Sequence, residues 1–317
     1  MRILRRIPPR PPRLSAPVAA IGIFDGVHRG HQAILKKALE RARALRGTAV
    51  AITFDPHPIA VLRPAQVPPM LSSLEQRLRR FAALGIRWVL VVPFTRSFSR
   101  WGPEKFVRHL LVKRLRAREV VVGHDFGFGA GRKGNVRTLR RLGQRYGFQG
   151  HAVPPVRGGG ERISSGSLRR LVQSGRLREA RRRLGWPVTV VGRVVHGAHR
   201  GKSLGFPTAN LRIEAGVPPP TGVYAVRTRC GSRVWRGTAN LGFRPTFEED
   251  VSGVQHAPLL EVHLFGRRQS LYGRRLEVAL VQRIRSERRF PSPHALLLQH
   301  TRDARRARAI LRHSGAG

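Results

Sequence analysis

Cysteine, acidic residues and long apolar runs are all scarce in this chain of 317 residues. The single cysteine, Cys230, excludes an internal disulfide and argues against a disulfide-stapled secreted scaffold. No apolar run approaches the length that spans a bilayer. The basic N-terminus, Met1–Arg13, imitates the start of a secretion signal, but the apolar stretch behind it runs directly into a glycine-rich segment that cleavage would destroy. We therefore expect a cytoplasmic protein that does not associate with membranes.

The scarcity of acids gives the chain an extreme charge. Asp and Glu number 17 against 61 Lys and Arg, for a net charge of +44. Such a charge is typical of proteins that bind nucleic acid. It could instead reflect an arginine-rich composition in which the charges are spread over solvated faces. Aromatic RNA-binding motifs are absent and the arginines are dispersed along predicted helices, so we favour the second interpretation and expect only non-specific nucleic-acid binding at low salt. The dispersed groups are Arg77, Arg79 and Arg80; Arg178, Arg181, Arg182 and Arg183; and Arg302, Arg305, Arg306 and Arg308.

The first half of the chain alternates short apolar runs with segments of helical periodicity. This order predicts a doubly wound α/β domain, in which ligands bind beyond the carboxyl ends of the strands. The predicted strands are Val18–Phe24, Thr48–Phe54, Trp88–Phe94 and Glu119–His124. The predicted helices are His31–Arg46, Ser73–Leu84, Pro103–Arg116 and Val136–Tyr146, followed by two short ones at Ser167–Ser174 and Leu177–Leu184.

A glycine-rich turn joins the first strand to the first helix, with the sequence Gly22-Ile-Phe-Asp-Gly-Val-His-Arg-Gly-His31. Gly22, Gly26 and Gly30 allow the backbone to approach a ligand closely, and the helix N-terminus favours phosphate oxygens. His28 and His31 can face one ligand, where imidazole N–H groups would stabilise the charge that develops as an α-phosphorus is attacked. Two histidines alone are more often ordinary loop residues, and a metal pair lacks a third ligand. Their setting between strand and helix favours a nucleotidyl-transfer site.

The periodicity changes at Gly185-Trp-Pro187, which we take as the domain boundary: residues 1–184 form the first domain and residues 185–317 the second. In the second domain, successive segments have the pattern of strands, with no helical segment between them. This predicts a small antiparallel barrel covered by a helix at Pro293–Leu311. A second phosphate-handling signature, Gly205-Phe-Pro-Thr-Ala-Asn210, lies within it. The predicted strands are Val188–Val195, Val223–Cys230, Val234–Leu241, Leu260–Phe265 and Leu276–Ile284.

Taken in order, the motifs resemble the bacterial bifunctional riboflavin kinase/FMN adenylyltransferase (FAD synthetase) family over residues 18–311. Besides the two signatures, the resemblance rests on several shorter motifs. These are Thr53-Phe-Asp-Pro-His-Pro58, Gly123-x-Asp-Phe-x-Phe-Gly129, Arg162-Ile-Ser-Ser165 with Arg169, Gly197-x-x-x-Gly201, Gly222-Val-Tyr224, Asn240-Leu-Gly-x-Arg-Pro-Thr246, Glu261-Val-His-Leu-Phe265 and Leu271-Tyr-Gly273.

For the first domain, the resemblance implies adenylyl transfer from ATP to FMN, which yields FAD and pyrophosphate. It places ATP phosphates at the histidine pair and at a second segment, where an arginine can make bidentate contacts to phosphate. It places flavin at Asp125 and Phe126. The implied ATP and phosphate residues are Gly22, Phe24, Asp25, Gly26, His28, Gly30, His31, Arg162, Ser165 and Arg169.

For the second domain, the resemblance implies phosphorylation of riboflavin by ATP. Thr208 and Asn210 would bind Mg²⁺, which prefers hard oxygen ligands shared with phosphates. Glu261 would be the general base that accepts the hydroxyl proton. Taken alone, it could equally be a surface carboxylate on an exposed strand face, with no catalytic role. On a strand it would share a face with His263 and point into the barrel mouth. Gly201 and Gly205 would contact phosphate, and Asn240 and Arg285 the flavin.

One departure from the family pattern concerns the first domain. Gly166 stands where the family usually has Thr, which removes a hydroxyl near the phosphate segment. Two alternatives therefore stay open: a riboflavin kinase with a weakened adenylyltransferase domain, and a basic RNA-binding protein on this scaffold. The presence of His28, His31, Thr208, Asn210 and Glu261 favours the bifunctional enzyme, expected as a monomer or weak homo-oligomer.

Overall fold

The computed structural model describes residues 1–196, 206–242, 259–267 and 271–313. The chain divides into two compact units. The first comprises Met1–Pro68 and Leu74–Ser164, and the second comprises Pro69–Ser73 and Ser165–Gly317. A short segment from the first half of the sequence therefore belongs to the second unit. In the part of the chain described here, no helix is both long and apolar enough to cross a membrane.

The first unit is built on a six-stranded sheet whose neighbouring strands all run parallel, in the order β1-β4-β3-β2-β5-β6. Apolar side chains cover both faces, as the continuous apolar runs predict. The chain leaves central β2 toward β3 and β4 and returns to add β5 and β6, so the switch point lies between β2 and β5. The strands are β1 Arg2–Leu4, β2 Val18–Ile21, β3 Ala49–Asp55, β4 Trp88–Pro93, β5 Glu119–Gly123 and β6 Gln149–Val153.

The helices of this unit confirm the predicted alternation, with one difference in form and two short helices, Pro58–Leu62 and Arg96–Ser99, that were not predicted. The segment predicted as a helix over Pro103–Arg116 is divided into α-helical and π-helical parts, Pro103–Phe106 and Val107–Arg114. A hairpin of β7 Arg157–Gly158 and β8 Glu161–Arg162 ends the unit. The α-helices are α1 Arg29–Ala44, α2 Pro58–Leu62, α3 Leu74–Ala83, α4 Arg96–Ser99, α5 Pro103–Phe106 and α6 Val136–Tyr146.

The second unit is a closed barrel of six antiparallel strands, in the order β10-β13-β12-β11-β14-β9. Its interior is filled by fully buried side chains such as Leu211, Tyr224, Leu260 and Val278. The strands are β9 Thr189–Val195, β10 Thr208–Ala215, β11 Gly222–Cys230, β12 Arg233–Gly242, β13 Leu259–Leu264 and β14 Arg275–Arg285. Five of them were predicted, but β10, which carries the predicted magnesium residues, was not.

Three helices accompany the barrel: α7 Ser165–Gln173, α8 Leu177–Leu184 and α9 Pro293–His313. Helix α9 packs on the outside of β11 and β14 through Ala307 and Leu311, which contact Val223, Ala225 and Ile284. Segment 69–73 is held in this unit by backbone carbonyls, since Gly216 N–H donates to Met70 O at 3.0 Å and Arg169 Nε donates to Pro69 O at 2.7 Å.

Candidate active sites

The glycine-histidine turn, residues 22–31, joins the carboxyl end of central β2 to α1, beside the switch point. His28 is buried and caps α1, because its Nδ1 accepts a hydrogen bond from His31 N–H at 3.3 Å. The two imidazole rings stack with their centroids 3.6 Å apart. The structure therefore brings the two predicted histidines together at a helix N-terminus, where the helix dipole favours an anion.

The surroundings of His31 favour the neutral form of its imidazole. Removal of the ring from water lowers its pKa well below the usual value, and the nearby charges of His28 and Arg77 lower that pKa further. Its Nδ1 is buried without a hydrogen-bond partner in the described residues. A neutral ring still offers one N–H donor, and a bound phosphate would favour its protonated form.

Three positions of this turn favour glycine, one through its backbone angle and two because a side chain would be crowded. Gly26 has φ of 79°, which side chains rarely adopt. A Cβ on Gly22 would lie 2.9 Å from the Phe24 ring, and one on Gly30 would lie 3.1 Å from the His28 ring. Phe24 is itself fully buried, with its ring edge-to-face against both His31 and Phe81. The predicted turn residues thus shape the backbone around the histidines, and Asp25 is buried among them.

Helix α3 supplies two contacts to this turn that the sequence interpretation missed. Arg77 Nη1 donates to Ile23 O at 2.9 Å, and Arg80 Nη1 donates to Gly26 O at 2.7 Å. Both arginines are buried, as is Arg183 on α8. The sequence analysis placed the dispersed arginines on solvated faces, and this prediction is wrong for Arg77, Arg80 and Arg183. Arg77 and Phe81 share the apolar stripe of α3 with Leu74 and Leu78, and that register is the signal that could have revealed them.

Asp125 and Arg162 form an ion pair near the carboxyl end of β5. Burial alone would raise the pKa of Asp125, but the hydrogen bond and charge of Arg162 outweigh it and hold that pKa below its usual value. The same segment reaches the turn, because Ile163 O would lie 3.5 Å from a Cβ on Gly30. Phe126 stacks on Phe128 with ring centroids 5.3 Å apart. Of the predicted phosphate segment, Arg162 therefore belongs to the first unit.

Ser165 and Arg169, the other predicted phosphate residues, belong to the second unit. Ser165 opens α7, and Gly166 and Ser167 lie in its first turn. Ser167 is buried, whereas the Arg169 guanidinium donates to the Pro69 carbonyl.

In the barrel, the predicted residues Asn210, Glu261 and Asn240 form one row across three neighbouring strands. Strand register places Asn210 of β10 and Asn240 of β12 directly opposite Glu261 of β13, on either side. Directly opposite residues share a face of the sheet, with Cβ atoms about 5 Å apart. The amide and carboxylate groups are therefore collected at one place in the barrel wall.

This row lies on the outer face of the barrel. Along β13, Glu261 and His263 alternate with Leu260, Val262 and Leu264, which are buried. The prediction that Glu261 shares a face with His263 is confirmed. The prediction that it points into the barrel mouth is wrong, because Leu260, Val262 and Leu264 of the same strand face the interior and Glu261 lies on the opposite face of the strand.

A second row, Thr208 opposite His263, adjoins the first on the same face. His263 Nδ1–H donates to Pro207 O at 3.1 Å, and Phe206 stacks on His300 of α9. Burial lowers the pKa of His263, an effect that the hydrogen bond to Pro207 opposes and the charge of Arg308 reinforces. The backbone that carries Thr208 is thus tied to the strand that carries Glu261.

The residues present fit a magnesium ion that is coordinated partly by the protein and partly by phosphate oxygens. The Oδ1 atom of Asn210 is buried and accepts no hydrogen bond from the described residues. An unsatisfied buried amide oxygen is costly, and a hard cation satisfies it. Those residues include no cluster of three His, Cys, Asp or Glu side chains for an all-protein metal site. Thr208 and Asn210 therefore offer a hydroxyl and an amide oxygen, with phosphates as co-ligands.

The predicted flavin residues Arg285 and Asn240 both form contacts with acidic side chains. Arg285 pairs with buried Asp303 of α9, with Nε and Nη2 at 2.9 and 2.8 Å from Oδ2. Asn240 Nδ2 donates to Glu287 Oε1 at 3.4 Å. Gly201 and Gly205 lie outside the described residues.

Comparison with known sequences finds two protein families, one after the other along the chain. Residues 11–167 match the family described as FAD synthetase, and residues 184–311 match the family described as riboflavin kinase. A bifunctional riboflavin kinase/FMN adenylyltransferase of Escherichia coli K12 is 40% identical over 292 residues, which cover 92% of this chain and 91% of the relative. The chain belongs to the bifunctional riboflavin kinase/FMN adenylyltransferase family. Relatives from Listeria monocytogenes and Haemophilus influenzae are 36% and 35% identical, with 92% of each chain covered.

As a member of this family, the protein is an enzyme with two activities. It phosphorylates riboflavin to FMN with ATP, and it transfers an adenylyl group from ATP to FMN to form FAD. Both family matches and relatives named as bifunctional favour this function over a kinase alone and over an RNA-binding scaffold. Its substrates are small molecules, and Mg²⁺ is the metal expected for such enzymes.

A solved structure shares the fold along almost the whole chain. It is described as a macrolide-efflux protein from Streptococcus pneumoniae and is 27% identical, with a TM-score of 0.81 over 99% of both chains. The similarity extends to both the parallel-sheet unit and the barrel, so the two-unit architecture recurs at low sequence identity.

Proposed function

We propose that residues 1–184 carry the adenylyl transfer and residues 185–317 the phosphorylation of riboflavin, each at the site described above. One observation carries this proposal: the histidine pair lies in the first unit, and the row that contains Glu261 lies in the second. His28 and His31 stack at the start of α1, while Asn210, Glu261 and Asn240 share one row of the barrel. Two sites of different chemistry on one chain fit consecutive reactions in which the product of one is the substrate of the other.

For adenylyl transfer, the FMN phosphate attacks the α-phosphorus of ATP and pyrophosphate leaves. The N–H groups of His28 and His31 and the start of α1 would stabilise charge on the phosphate oxygens. Gly22, Phe24, Asp25, Gly26 and Gly30 would shape the turn that holds them. Asp125 and Phe126 would contact flavin, while Arg162, Ser165 and Arg169 would bind phosphate.

For riboflavin phosphorylation, the 5′-hydroxyl attacks the γ-phosphorus while Glu261 accepts the hydroxyl proton. Mg²⁺ bound through Thr208 and Asn210 would neutralise charge on the transferring phosphate. Asn240, which lies directly opposite Glu261 on β12, would orient the flavin. Gly201 and Gly205 would contact phosphate, and Arg285 the flavin.

The proposal is tested by following riboflavin, FMN and FAD over time after the purified protein receives riboflavin, ATP and Mg²⁺. We expect FMN to appear first and FAD to follow. FMN without FAD would contradict the adenylyl-transfer site and implicate Gly166, and no product at all would contradict both sites. A parallel reaction that starts from FMN reports on adenylyl transfer alone.

The net charge supports a second, weaker property: non-specific binding of nucleic acid. Arg178, Arg181 and Arg182 are exposed along α8, within a chain of net charge +44. Such binding depends on released counterions, so affinity for a single-stranded RNA should fall at least about 100-fold between about 50 and 200 mM salt. Fluorescence anisotropy of a labelled RNA measures this. An affinity that does not change with salt, or no binding at the lower concentration, would contradict it.

We also propose that the enzyme works in the cytoplasm as a monomer or weak homo-oligomer. ATP, the substrate of both reactions, is available in the cytoplasm, which supports this location. Sedimentation velocity across a range of concentrations checks the oligomeric state, and a tight dimer at low concentration would contradict it.

A further inference from the structure

Helix α3 contacts the glycine-histidine turn at three successive points of one helical face. Arg77 reaches the Ile23 carbonyl, Arg80 reaches the Gly26 carbonyl, and Phe81 packs against Phe24 with ring centroids 5.4 Å apart. These residues stand at positions i, i+3 and i+4, which lie together on a helix. Each partner belongs to the segment between β2 and the histidine pair. The contacts therefore act on the turn itself.

The Arg77 guanidinium contacts the carboxyl ends of two adjacent strands, β2 and β3. Its Nη1 lies 3.0 Å from Thr53 Oγ1 and 3.2 Å from Phe54 O at the end of β3, besides the contact to Ile23. Its Nη2 lies 3.4 Å from Asp55 Oδ1. Thr53 Oγ1–H donates to the same Ile23 carbonyl at 3.0 Å. The carbonyl that follows β2 is thus held by two donors.

The burial of this guanidinium argues that its position matters. Arg77 is only 3% exposed, and taking a charge out of water is unfavourable unless hydrogen bonds offset the loss of hydration. A Met or Leu at this helix position would pack on the sheet without that cost. The arginine instead provides donors for carbonyl groups of an irregular turn, which no regular secondary structure satisfies.

From these contacts we propose that Arg77, together with Arg80, is a positioning residue for adenylyl transfer. The two guanidinium groups hold the carbonyls of Ile23 and Gly26, and so fix the backbone that presents His28 and His31 to the nucleotide phosphates. The two guanidinium groups also place positive charge close to the histidine pair. This inference rests on the proposed role of the histidine pair.

The test compares Arg77→Met and Arg77→Lys with Arg79→Met, which changes an exposed arginine of the same helix. Rates of FAD formation from FMN and ATP are measured at varied ATP. We expect Arg77→Met to lower kcat about 100-fold, since misplacement of about 1 Å has effects of this size, with a smaller change in KM. Arg77→Lys should recover part of the rate, because an ammonium keeps the charge but lacks the planar fork. Arg79→Met should match the unaltered enzyme, as should riboflavin phosphorylation in all three variants.

A wild-type kcat in Arg77→Met would overturn the proposal. If that variant fails to fold, Arg80→Met and Arg77→Lys carry the test, and a wild-type kcat in both would overturn it equally. A triple variant that combines Arg77→Met with His28→Ala and His31→Ala distinguishes positioning of the histidines from a general structural role. We expect its rate to equal that of the variant with the two His substitutions alone, because Arg77 acts through both histidines, whereas losses that multiply would overturn the proposal. A His31→Ala variant with full activity would instead contradict the proposed role of the histidines.

Discussion

Glu261→Gln is expected to abolish FMN formation from riboflavin while FAD formation from supplied FMN continues at the normal rate. The amide keeps the size of the side chain and its place between Asn210 and Asn240, but it cannot accept the hydroxyl proton. General bases contribute about 10²–10⁴-fold to such reactions, so the loss should be at least about 100-fold. Because Glu261 lies within the barrel unit, its replacement leaves the histidine pair intact.

The measurement separates riboflavin, FMN and FAD in two reactions, one started from riboflavin and one from FMN. Glu214→Gln is the matched control, because Glu214 lies on neighbouring β10 and pairs with Arg193 and Arg275 on the barrel surface. Surface pairs contribute about 1 kcal/mol or less, so this control should retain activity. Loss of both activities in Glu261→Gln would contradict separate sites, and retained FMN formation would remove Glu261 from the role of base.

Replacement of both His28 and His31 by Ala is expected to have the opposite effect: FAD formation is lost and FMN formation is kept. The substitutions remove the imidazole N–H donors and also the cap of α1, because His28 Nδ1 accepts from the His31 backbone. Loss of one donor to developing negative charge typically slows a reaction about 10²–10³-fold. The pair stacks and acts on the same phosphates, so the double loss should be less than the product of the single losses.

His109→Ala serves as the control for this pair. It removes a half-buried imidazole of the same unit, packed on Trp101 and located before β5 rather than at the turn. The control should lose little FAD formation even if it lowers stability. A normal rate of FAD formation in the double His variant would reject the phosphate-binding role of the histidines, whatever the family resemblance implies.

The sequence predicted the sheet well because its strands are continuous apolar runs. β2 to β5 are buried on both faces, and helix α6 begins and ends where its periodicity predicts, at Val136 and Tyr146. β1 was missed because Arg2–Leu4 is short and lies in a segment whose basic composition imitates a leader. Only its parallel pairing with β4 makes it a strand, and tertiary pairing of this kind leaves no local signal.

β10 was missed for a related reason, although two of its residues had been selected for function. Only Leu211 in Thr208–Ala215 is fully buried, so the strand has neither an apolar run nor a clear alternation. The motif identified Thr208 and Asn210 where the pattern could not identify the strand. Their alignment with Glu261 follows from strand register, which a single sequence does not specify.

Arginine abundance hid the residues that hold the glycine-histidine turn. In a chain with so many Lys and Arg, Arg77 and Arg80 do not stand out by type. They differ from their neighbour Arg79 by helical register, because they lie on the buried side of α3 while Arg79 is exposed. In strongly basic proteins, the arginines to examine are therefore those that interrupt an apolar stripe.

Segment Pro69–Ser73 means that no single cut in the chain separates the two units. A polypeptide that begins at residue 165 would contain the whole barrel and still lack the Met70 carbonyl that accepts from Gly216, and the Pro69 carbonyl that accepts from Arg169. The other piece would carry these five residues without the groups they bind. Expression of the barrel as an independent polypeptide would therefore leave these two donors without their carbonyl partners unless segment 69–73 were grafted onto it.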